Sequence, residues 1–261
     1  TDLLDLLSEN PALERTDLDF QHLLRSWFNR GFLVLRQISW ETPASILEKI
    51  VEYEAVHAIG DWGELRRRLY PKDRRCFAFF HPSMPNEPLI FVEVALTATV
   101  PSSIQQLLAD DREPQETAET KVAVFYSISN CQKGLSGISF GNLLIKQVAA
   151  ELRQEFPGLE KFITLSPIPT LRKWMGTQEQ IYNENDILSN NIKEDVVRQI
   201  AGYYLLNVKK ENGLPQDPVA RFHLGNGAQI YEVHANADIS NKGLEQSLGA
   251  MVNYEYDLGS I

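Results

Sequence analysis

The sequence predicts an α/β protein in which a small helical segment precedes a longer segment that contains a sheet. Two observations indicate this class. Apolar residues recur at helical spacing through residues 1 to about 75, whereas later short runs of Val, Ile, Phe and Tyr alternate with helical stretches. A chain of 261 residues, 43% of them hydrophobic, can form a sizeable core. We therefore predict a helical domain over residues 1–75 and an α/β domain over residues 76–261.

Three helices are predicted in the first segment. Gly31 can end the first, Thr42-Pro43 supplies a cap and an N-terminal proline for the second, and Asp61 with Glu64 resembles a capping box for the third. The run Arg66-Arg67-Arg68 on the third helix is interpreted as a solvated face rather than a phosphate site. The apolar stripes of these helices are Phe20, Leu23, Leu24, Trp27 and Phe28, then Ile46, Leu47, Ile50 and Val51, then Leu65 and Leu69.

The second segment begins with strands. Cys76 to Phe80 and Leu89 to Leu96 are predicted strands on either side of a proline-rich turn, Pro82 to Pro88. Lys121 to Ser129 is an almost continuous apolar run, which indicates a strand buried on both faces, as in a parallel sheet. A helix follows, and Lys161 to Leu165 is the next strand, so this unit should have parallel strands joined by a right-handed crossover.

The remainder of the second segment continues the alternation of helices and strands. A polar helix is predicted around Ile187 to Leu206, followed by a strand near Ala220 to Leu224. A turn at Asn226-Gly227 then leads to a strand near Gln229 to His234. The last predicted strand runs from Ala250 to Tyr256.

Composition argues against several classes of function. The net charge of −10 argues against nucleic acid as the main partner, although a local site can still be basic. No run of 18 apolar residues occurs, so no membrane span is expected, and Thr1-Asp2 onward lacks the layout of a secretory signal. Cys76 and Cys131 form neither a disulfide framework nor a metal-ligand spacing. The simplest expectation is a reducing, cytoplasm-like compartment.

A glycine-containing turn lies between the predicted buried strand and its helix. Gly134, Gly137 and Gly141 leave room for a ligand to approach the backbone. The helix start that follows offers unpaired N–H groups and the positive end of the helix dipole, which together bind phosphates, and Lys133 could add a charge. The spacing matches neither a P-loop nor a dinucleotide fingerprint. At this point a plain tight turn is an equal alternative.

Several separated motifs resemble the malonyl-CoA decarboxylase family. They run from about Trp27 to the C-terminus in the family's order, which argues against chance similarity. The motifs are Tyr53–His57, His81-Pro82 with Glu87–Thr97, Phe125–Ser129, Gln132–Gly141 with Leu144–Lys146, Leu165–Pro169, Ala220–Leu224 with Asn226–Ala228, and Asn253–Tyr256.

The resemblance implies a GNAT-like acyltransferase fold, a mixed sheet that splays open to admit CoA, preceded by a small helical domain. It implies that Ser166 and His223 match the family's catalytic serine and histidine, and that Tyr256 matches a tyrosine close to the active site. No metal is implied, and no organic cofactor beyond the CoA of the substrate. The stretch that matches the family's binding loop for the pantetheine and pyrophosphate of malonyl-CoA is Ser136, Gly137, Ile138, Ser139, Phe140, Gly141 and Asn142.

Chemistry alone leaves the roles of these residues open. Ser166 follows a predicted parallel strand, where ligands of open α/β sheets usually bind, but a serine there can also hydrogen-bond only its own turn. A lone histidine such as His223 is more often structural than catalytic. The other histidines are His57, His81 and His234, which compete for the role, and His22, which is predicted to lie on a helix surface.

The resemblance implies a carboxy-lyase of fatty acid metabolism that converts malonyl-CoA to acetyl-CoA and carbon dioxide. A malonyl thioester carries its own electron sink, because loss of carbon dioxide leaves a thioester enolate. Ser166 would then position and polarise the malonyl group and relay protons, and His223 would deliver a proton to the enolate carbon.

Two other functions stay open. One is an acyltransferase that decarboxylates malonyl-CoA and loads the acetyl group onto an acyl carrier protein in polyketide initiation. The other is a non-catalytic module that binds malonyl-CoA. A homo-oligomer also stays open, because the helical segment is shorter than in typical members of the family. An organelle matrix stays open for a eukaryotic protein, because the resemblance is to a family that occurs in bacterial cytoplasm and in eukaryotic organelles.

Overall fold

The computed structural model describes residues 2–7, 10–28, 30–135, 141–178 and 192–257. The chain groups into two compact units. The first unit comprises Thr1–Glu93 and Ser127–Glu151, and the second comprises Val94–Tyr126 and Leu152–Ile261. The predicted division into a helical domain before residue 76 and a catalytic domain after it stays a prediction.

Helices and strands alternate along most of the described chain, as the predicted α/β class requires. The strands are β1 (Val34–Ile38), β2 (Arg74–His81), β3 (Met84–Thr97), β4 (Val122–Asn130), β5 (Lys161–Thr164), β6 (Ser166–Pro167), β7 (Gln229–His234) and β8 (Met251–Glu255). The helices are α1 (Asp2–Leu6), α2 (Glu14–Trp27), α3 (Ala44–Tyr53), α4 (Trp62–Leu69), α5 (Ile104–Leu107), α6 (Gly141–Glu155), α7 (Leu171–Met175), α8 (Glu194–Asn207), α9 (Pro218–Gly225) and α10 (Asn241–Ser247). None of these helices is both long and apolar enough to cross a bilayer.

The strands form a mixed sheet in the order β1-β2-β3-β4-β5-β8-β6, and β7 also pairs with β8. β1 and β2 are antiparallel. β4 and β5 are parallel, with register from Val122↔Lys161 to Phe125↔Thr164. β8 is antiparallel to β5, β6 and β7. The predicted strand–helix–strand unit with parallel strands is therefore confirmed as β4–α6–β5.

The first unit buries the predicted stripes of α3 and α4. Pro43 is the N-cap of α3 rather than its first residue, but the helix begins where the Thr42-Pro43 signal placed it. β1 was not predicted, because its five residues take their place only by pairing with β2, more than 35 positions further along the chain. The core of this unit includes Ile38, Ile46, Leu47, Ile50, Leu65, Leu69, Cys76, Ala78, Phe80 and Phe91.

The start of α4 confirms a side-chain cap and corrects the interpretation of its arginines. Asp61 Oδ1 accepts a hydrogen bond from the Glu64 backbone N at 2.7 Å, and Glu64 Oε2 accepts one from Gly60 N at 2.8 Å. The first two arginines of the run are exposed, but Arg68 is buried and pairs with Glu93 at 3.1 Å. The prediction of a solvated face was therefore wrong for Arg68, which points inward one helical turn after Glu64.

The hairpin of β2 and β3 has a shorter turn than the sequence predicted. β3 begins at Met84, so only Pro82 and Ser83 separate the two strands. The prolines at the start of β3 fit a strand because each keeps its carbonyl as an acceptor, and Pro85 O accepts from Arg36 Nη1 at 2.7 Å. The predicted proline-rich loop is thus mostly strand.

The predicted strand from Ala220 to Leu224 is wrong, because these residues belong to helix α9. Asp217 accepts hydrogen bonds from the backbone N atoms of Val219 and Ala220, both at 2.9 Å, and Pro218 is the first helical residue. An N-cap aspartate followed by proline is a helix-start signal that the strand prediction overlooked. The helix predicted around residues 187–206 is found as α8, and residues 187–191 lie outside the described residues.

The second unit packs its apolar side chains around β4, β5 and β8. α5 and the neighbouring loops complete this core. Its members include Ala95, Ile104, Leu107, Val122, Val124, Tyr126, Ile163, Leu165, Ala237 and Met251. The strands predicted near residues 229–234 and 250–256 are confirmed as β7 and β8.

Candidate active site

Ser166 lies directly beyond the carboxyl end of β5. The parallel pairing with β4 ends where Leu165 N donates to Phe125 O at 3.0 Å. Ser166 then enters the two-residue strand β6, where it pairs with Val252 of β8. Its side chain is 5% exposed. The sequence predicted this location, and the structure places the hydroxyl at a buried strand end.

His223 lies on α9 and is 3% exposed. Burial lowers the pKa of His223 from its usual value of 6.5 to about 3, because the surroundings disfavour the charged imidazolium. The imidazole is therefore neutral at physiological pH. A neutral imidazole has one N–H donor and one acceptor nitrogen, so its two neighbours decide which nitrogen carries the proton.

A chain of hydrogen bonds joins His223 to Ser166 and Tyr256. His223 Nε2 is 3.1 Å from Ser166 Oγ, and His223 Nδ1 is 2.8 Å from the Tyr256 hydroxyl. Ser166 Oγ donates to Thr164 Oγ1 at 2.9 Å. Because the serine proton is used in that bond, Ser166 accepts from Nε2–H, and Tyr256 donates to Nδ1. The structure thus brings together three residues that the sequence analysis singled out.

The phenol of Tyr256 stays protonated in this arrangement. Tyr256 is 2% exposed, and burial raises the pKa of its hydroxyl. A neutral phenol both donates and accepts, as a serine hydroxyl does. Both neighbours of the imidazole can therefore exchange a proton with it without leaving a buried charge.

Tyr254 is the member of this cluster that the sequence analysis missed. Its ring stacks on the imidazole of His223, with centroids 4.6 Å apart and planes 23° from parallel. Its hydroxyl is buried and has no hydrogen-bond partner among the described residues. Tyr254 is on β8 and Tyr256 directly follows its last residue, so the two side chains, two positions apart in extended chain, lie on the same face. This spacing could have identified Tyr254 from the sequence, because a residue that contacts Tyr256 should also lie close to Tyr254.

The predicted binding loop is described only in part. Ser136, Gly137, Ile138, Ser139 and Phe140 lie outside the described residues. The next two residues begin α6: Gly141 is buried, and the side chain of Asn142 is again outside the described part. The assignment of this stretch to the CoA moiety stays a prediction.

Two residues that precede this loop, Lys133 and Cys131, are described in full. Lys133 Nζ is exposed and pairs with Asp5 at 2.7 Å. Cys131 is buried, and burial raises the pKa of its thiol, so it is not a reactive thiolate at neutral pH.

The competing histidines have other contacts. His81 Nδ1 accepts from Ser83 N at 3.2 Å, and its ring packs on Phe28 with centroids 5.1 Å apart. His234 is buried and its Nε2 bonds Asn253 Oδ1. Within the described residues no group of three or more His, Cys, Asp or Glu side chains could hold a metal ion. The expectation that the reaction needs no metal or added cofactor stays a prediction.

Comparison with known proteins decides the family. The family model of the malonyl-CoA decarboxylase C-terminal domain matches residues 31–197 and 177–261. The curated mitochondrial malonyl-CoA decarboxylase of Rattus norvegicus is 35% identical over 292 residues, which cover 97% of this chain and 59% of the relative. The chain belongs to the malonyl-CoA decarboxylase family. It spans 57–59% of the length of the curated malonyl-CoA decarboxylases that it matches.

Solved structures support the same family and the predicted fold. The malonyl-CoA decarboxylase from Rhodopseudomonas palustris superposes with a TM-score of 0.90 at 48% identity, covering 100% of this chain and 68% of that one. The GphF GNAT-like decarboxylase in complex with isobutyryl-CoA has a TM-score of 0.58 at 19% identity and covers 86% of this chain and 99% of that one, a likeness of fold alone. The predicted GNAT-like fold, with helices ahead of the sheet, is therefore confirmed for this malonyl-CoA decarboxylase family member.

Proposed function

We propose that this chain decarboxylates malonyl-CoA, so that malonyl-CoA and one proton give acetyl-CoA and carbon dioxide. The observation that carries the proposal is the buried hydrogen-bonded chain from Tyr256 through His223 to Ser166. A site of this kind can deliver a proton without an ionised side chain. The family membership supplies the substrate class.

The protein has three tasks in this reaction, and none needs a redox centre. It must hold the leaving carboxylate out of the thioester plane, stabilise the enolate oxygen and protonate the new carbanion. Loss of carbon dioxide leaves its electron pair in the thioester, so the substrate's own CoA thioester is the electron sink. Hydrogen-bond donors in a dry site stabilise such a charge by about 3–4 kcal/mol each.

Ser166 and His223 divide the proton transfer between them. In the proposal Ser166 positions and polarises the malonyl group and relays the proton of His223 to the carbanion carbon. The sequence-based hypothesis had His223 protonate that carbon itself, but His223 Nε2 is directed at Ser166 Oγ, so the serine hydroxyl makes the final transfer. His223 replaces the serine proton from Nε2 and takes another from Tyr256 at Nδ1. The low pKa of His223 supports this route, because a resting imidazolium is strongly disfavoured at neutral pH. Tyr256 then regains its proton from solvent.

The remaining parts of the proposal concern binding and context. Residues Ser136 to Asn142 would hold the pantetheine and pyrophosphate, and Tyr256 would act on the substrate through His223. Participation in fatty acid metabolism, a cytoplasm-like compartment or an organelle matrix, and a homo-oligomer belong to the proposal too. The curated relatives carry the word mitochondrial in their names.

Mass spectrometry of malonyl-CoA incubated with the purified chain tests the proposal. We expect acetyl-CoA without any partner protein, and a loss of roughly 100- to 10,000-fold in rate for Ser166→Ala and His223→Asn. His22→Asn, a change on the exposed side of α2, is the matched control and should keep the full rate. If both site variants keep more than about a tenth of the rate, the residue roles are wrong. Acetyl groups that appear only on an added carrier protein would replace the proposal with the loading function.

A further inference from the structure

The orientation of His223 depends on how α9 is anchored. This helix has eight residues, Pro218–Gly225. Isolated helices shorter than about 12 residues are marginal in water, so tertiary contacts must hold such a helix in place. His223 lies in its last turn, where a small rotation of the helix would move the imidazole away from Ser166.

Asp217 anchors the beginning of α9. Asp217 is 1% exposed. Its carboxylate accepts hydrogen bonds from Val219 and Ala220 and from both the side chain and the backbone of Thr170. Oδ1 accepts from the backbone N atoms of Val219 and Ala220, each at 2.9 Å, and Oδ2 accepts from Thr170 Oγ1 at 2.9 Å. Burial raises the pKa of Asp217, and these donors oppose that rise. The bonds from Val219 and Ala220 make an ordinary helix cap, but those from Thr170 come from outside the helix.

Thr170 belongs to the segment that carries Ser166. It follows Ser166 by four residues, and Pro167 and Pro169 in between restrict the backbone. The Thr170 hydroxyl also lies 2.7 Å from the hydroxyl of Tyr204, a buried residue of α8. The hydroxyl is therefore fixed on two sides and cannot rotate freely.

A closed ring of contacts results. The chain runs from Ser166 to Thr170, a hydrogen bond crosses to Asp217, α9 leads from Asp217 to His223, and a second hydrogen bond returns to Ser166. The two hydrogen bonds together fix α9 relative to the segment from Ser166 to Thr170, whereas with either bond alone the helix could rotate about it. Misplacement of a reacting group by about 1 Å can cost 100-fold in rate.

We propose that Asp217, together with Thr170, is a positioning residue that sets the distance between Ser166 Oγ and His223 Nε2. The inference rests on the proposed function, in which those two atoms exchange a proton. Asp217 touches neither atom and acts through α9. A plain cap would stabilise the helix without controlling the rate of proton transfer, and this difference is what the experiment must measure.

Four variants separate positioning from stability. Thr170→Val keeps the shape of the side chain and the cap of α9 but removes the hydroxyl that bonds Asp217 and Tyr204. We expect kcat to fall roughly 10- to 100-fold while KM changes less than about twofold. Thr170→Ser restores the hydroxyl and should recover most of kcat. Asp217→Asn keeps an acceptor for the cap and an amide that can donate to Thr170, so it should keep far more activity than Asp217→Ala.

Asp61→Ala is the matched control for loss of a cap. Asp61 is also an N-cap aspartate, on α4, and Asp61→Ala should lower the melting temperature by roughly 2–4 °C while leaving kcat unchanged. If Thr170→Val and Asp217→Ala lower the melting temperature as Asp61→Ala does and leave kcat per folded molecule unchanged, the positioning role is overturned.

Nitrogen-15 NMR of the His223 imidazole supplies a readout that does not need turnover. The wild type should show one neutral tautomer with the proton on Nε2. Thr170→Val should shift or broaden these signals, and Thr170→Ser should not. Unchanged signals in Thr170→Val would overturn the positioning role, whatever the wild-type activity. A wild type with these signals but no turnover of malonyl-CoA would instead reject the proposed function.

Discussion

The first unit buries a carboxylate, Glu54, and the second buries an imidazole, His223, with very different partners. Glu54 Oε1 accepts from the backbone N atoms of Val56 and His57 at 2.8 Å. Its carboxylate also accepts from Ser127 Oγ at 2.6 and 2.8 Å and from Ser129 Oγ at 3.3 Å. Each partner donates to Glu54. The partners of His223, Ser166 and Tyr256, can each donate or accept.

This difference separates a structural cluster from a reactive one. A carboxylate surrounded only by donors has no neighbouring acceptor to which a proton could pass. A neutral imidazole between two hydroxyls can pass a proton in either direction without a net buried charge. Burial and hydrogen bonding are common to both clusters, so the direction of the bonds is what predicts chemistry.

The largest effect on stability is expected at Glu54. Glu54→Ala leaves four buried or half-buried donors without their acceptor and should reduce the free energy of unfolding by about 3 kcal/mol. Urea denaturation measures this. Glu52→Ala, on the exposed face of α3, is the matched control and should change stability by less than about 0.5 kcal/mol. A Glu54→Gln variant that folds but is as inactive as His223→Asn would break the comparison, because Glu54 would then take part in the chemistry.

The stability of the wild type should fall as pH falls below the usual pKa of histidine. The folded protein binds no proton at His223 until about pH 3, whereas the unfolded chain binds one near pH 6.5. Between these values the unfolded state holds more protons, so stability decreases by about 1.4 kcal/mol for each pH unit lost. Urea denaturation of wild type and His223→Asn at pH 7 and pH 5 measures the difference, about 2 kcal/mol. Parallel pH dependences in the two proteins would show that His223 is not buried in its neutral form.

Removal of the Tyr256 hydroxyl should have a smaller effect. Tyr256→Phe keeps the ring but leaves His223 Nδ1 without the donor at 2.8 Å. Without the phenol, His223 has to take its proton from solvent, which in the wild type reprotonates Tyr256. The remaining loss is that of one hydrogen bond, about 0.5–1.5 kcal/mol, so kcat should fall by up to roughly tenfold. Steady-state kinetics measures it, with Tyr231→Phe, a half-exposed tyrosine of β7, as the control. A full rate in Tyr256→Phe would mean that Nδ1 receives its proton from another donor.

The smallest effect is expected for the hydroxyl of Tyr254. Tyr254→Phe keeps the stacked ring and removes a buried hydroxyl that has no partner in the described part of the chain, so kcat should change less than about threefold. Tyr254→Leu removes the stack as well, which contributes about 1 kcal/mol, and should lower both stability and kcat more than Tyr254→Phe does. A loss of more than about 30-fold in Tyr254→Phe would show that this hydroxyl contacts the substrate.

Much of the fold could be predicted because its signals are local. The stripes of α3 and α4 and the buried run of β4 show in the spacing of apolar residues. β1 escaped prediction because a five-residue strand depends on its partner. Helix α9 was misassigned because residues 220–224 alternate apolar and polar side chains, a pattern typical of a strand that a short helix can also contain. In that case the Asp217-Pro218 signal was decisive, and it is visible in the sequence.

The sequence by itself determined the fold class, the family motifs and the identity of Ser166, His223 and Tyr256 as candidates. Only the tertiary structure decided that the three form one hydrogen-bonded chain, that Tyr254 stacks on the imidazole and that Asp217 ties α9 to the segment of Ser166. The physical reason is that periodicity and turn signals act over a few residues. The hydrogen bonds that orient His223 instead join residues 33 to 57 positions apart, and their direction depends on which groups the fold buries together.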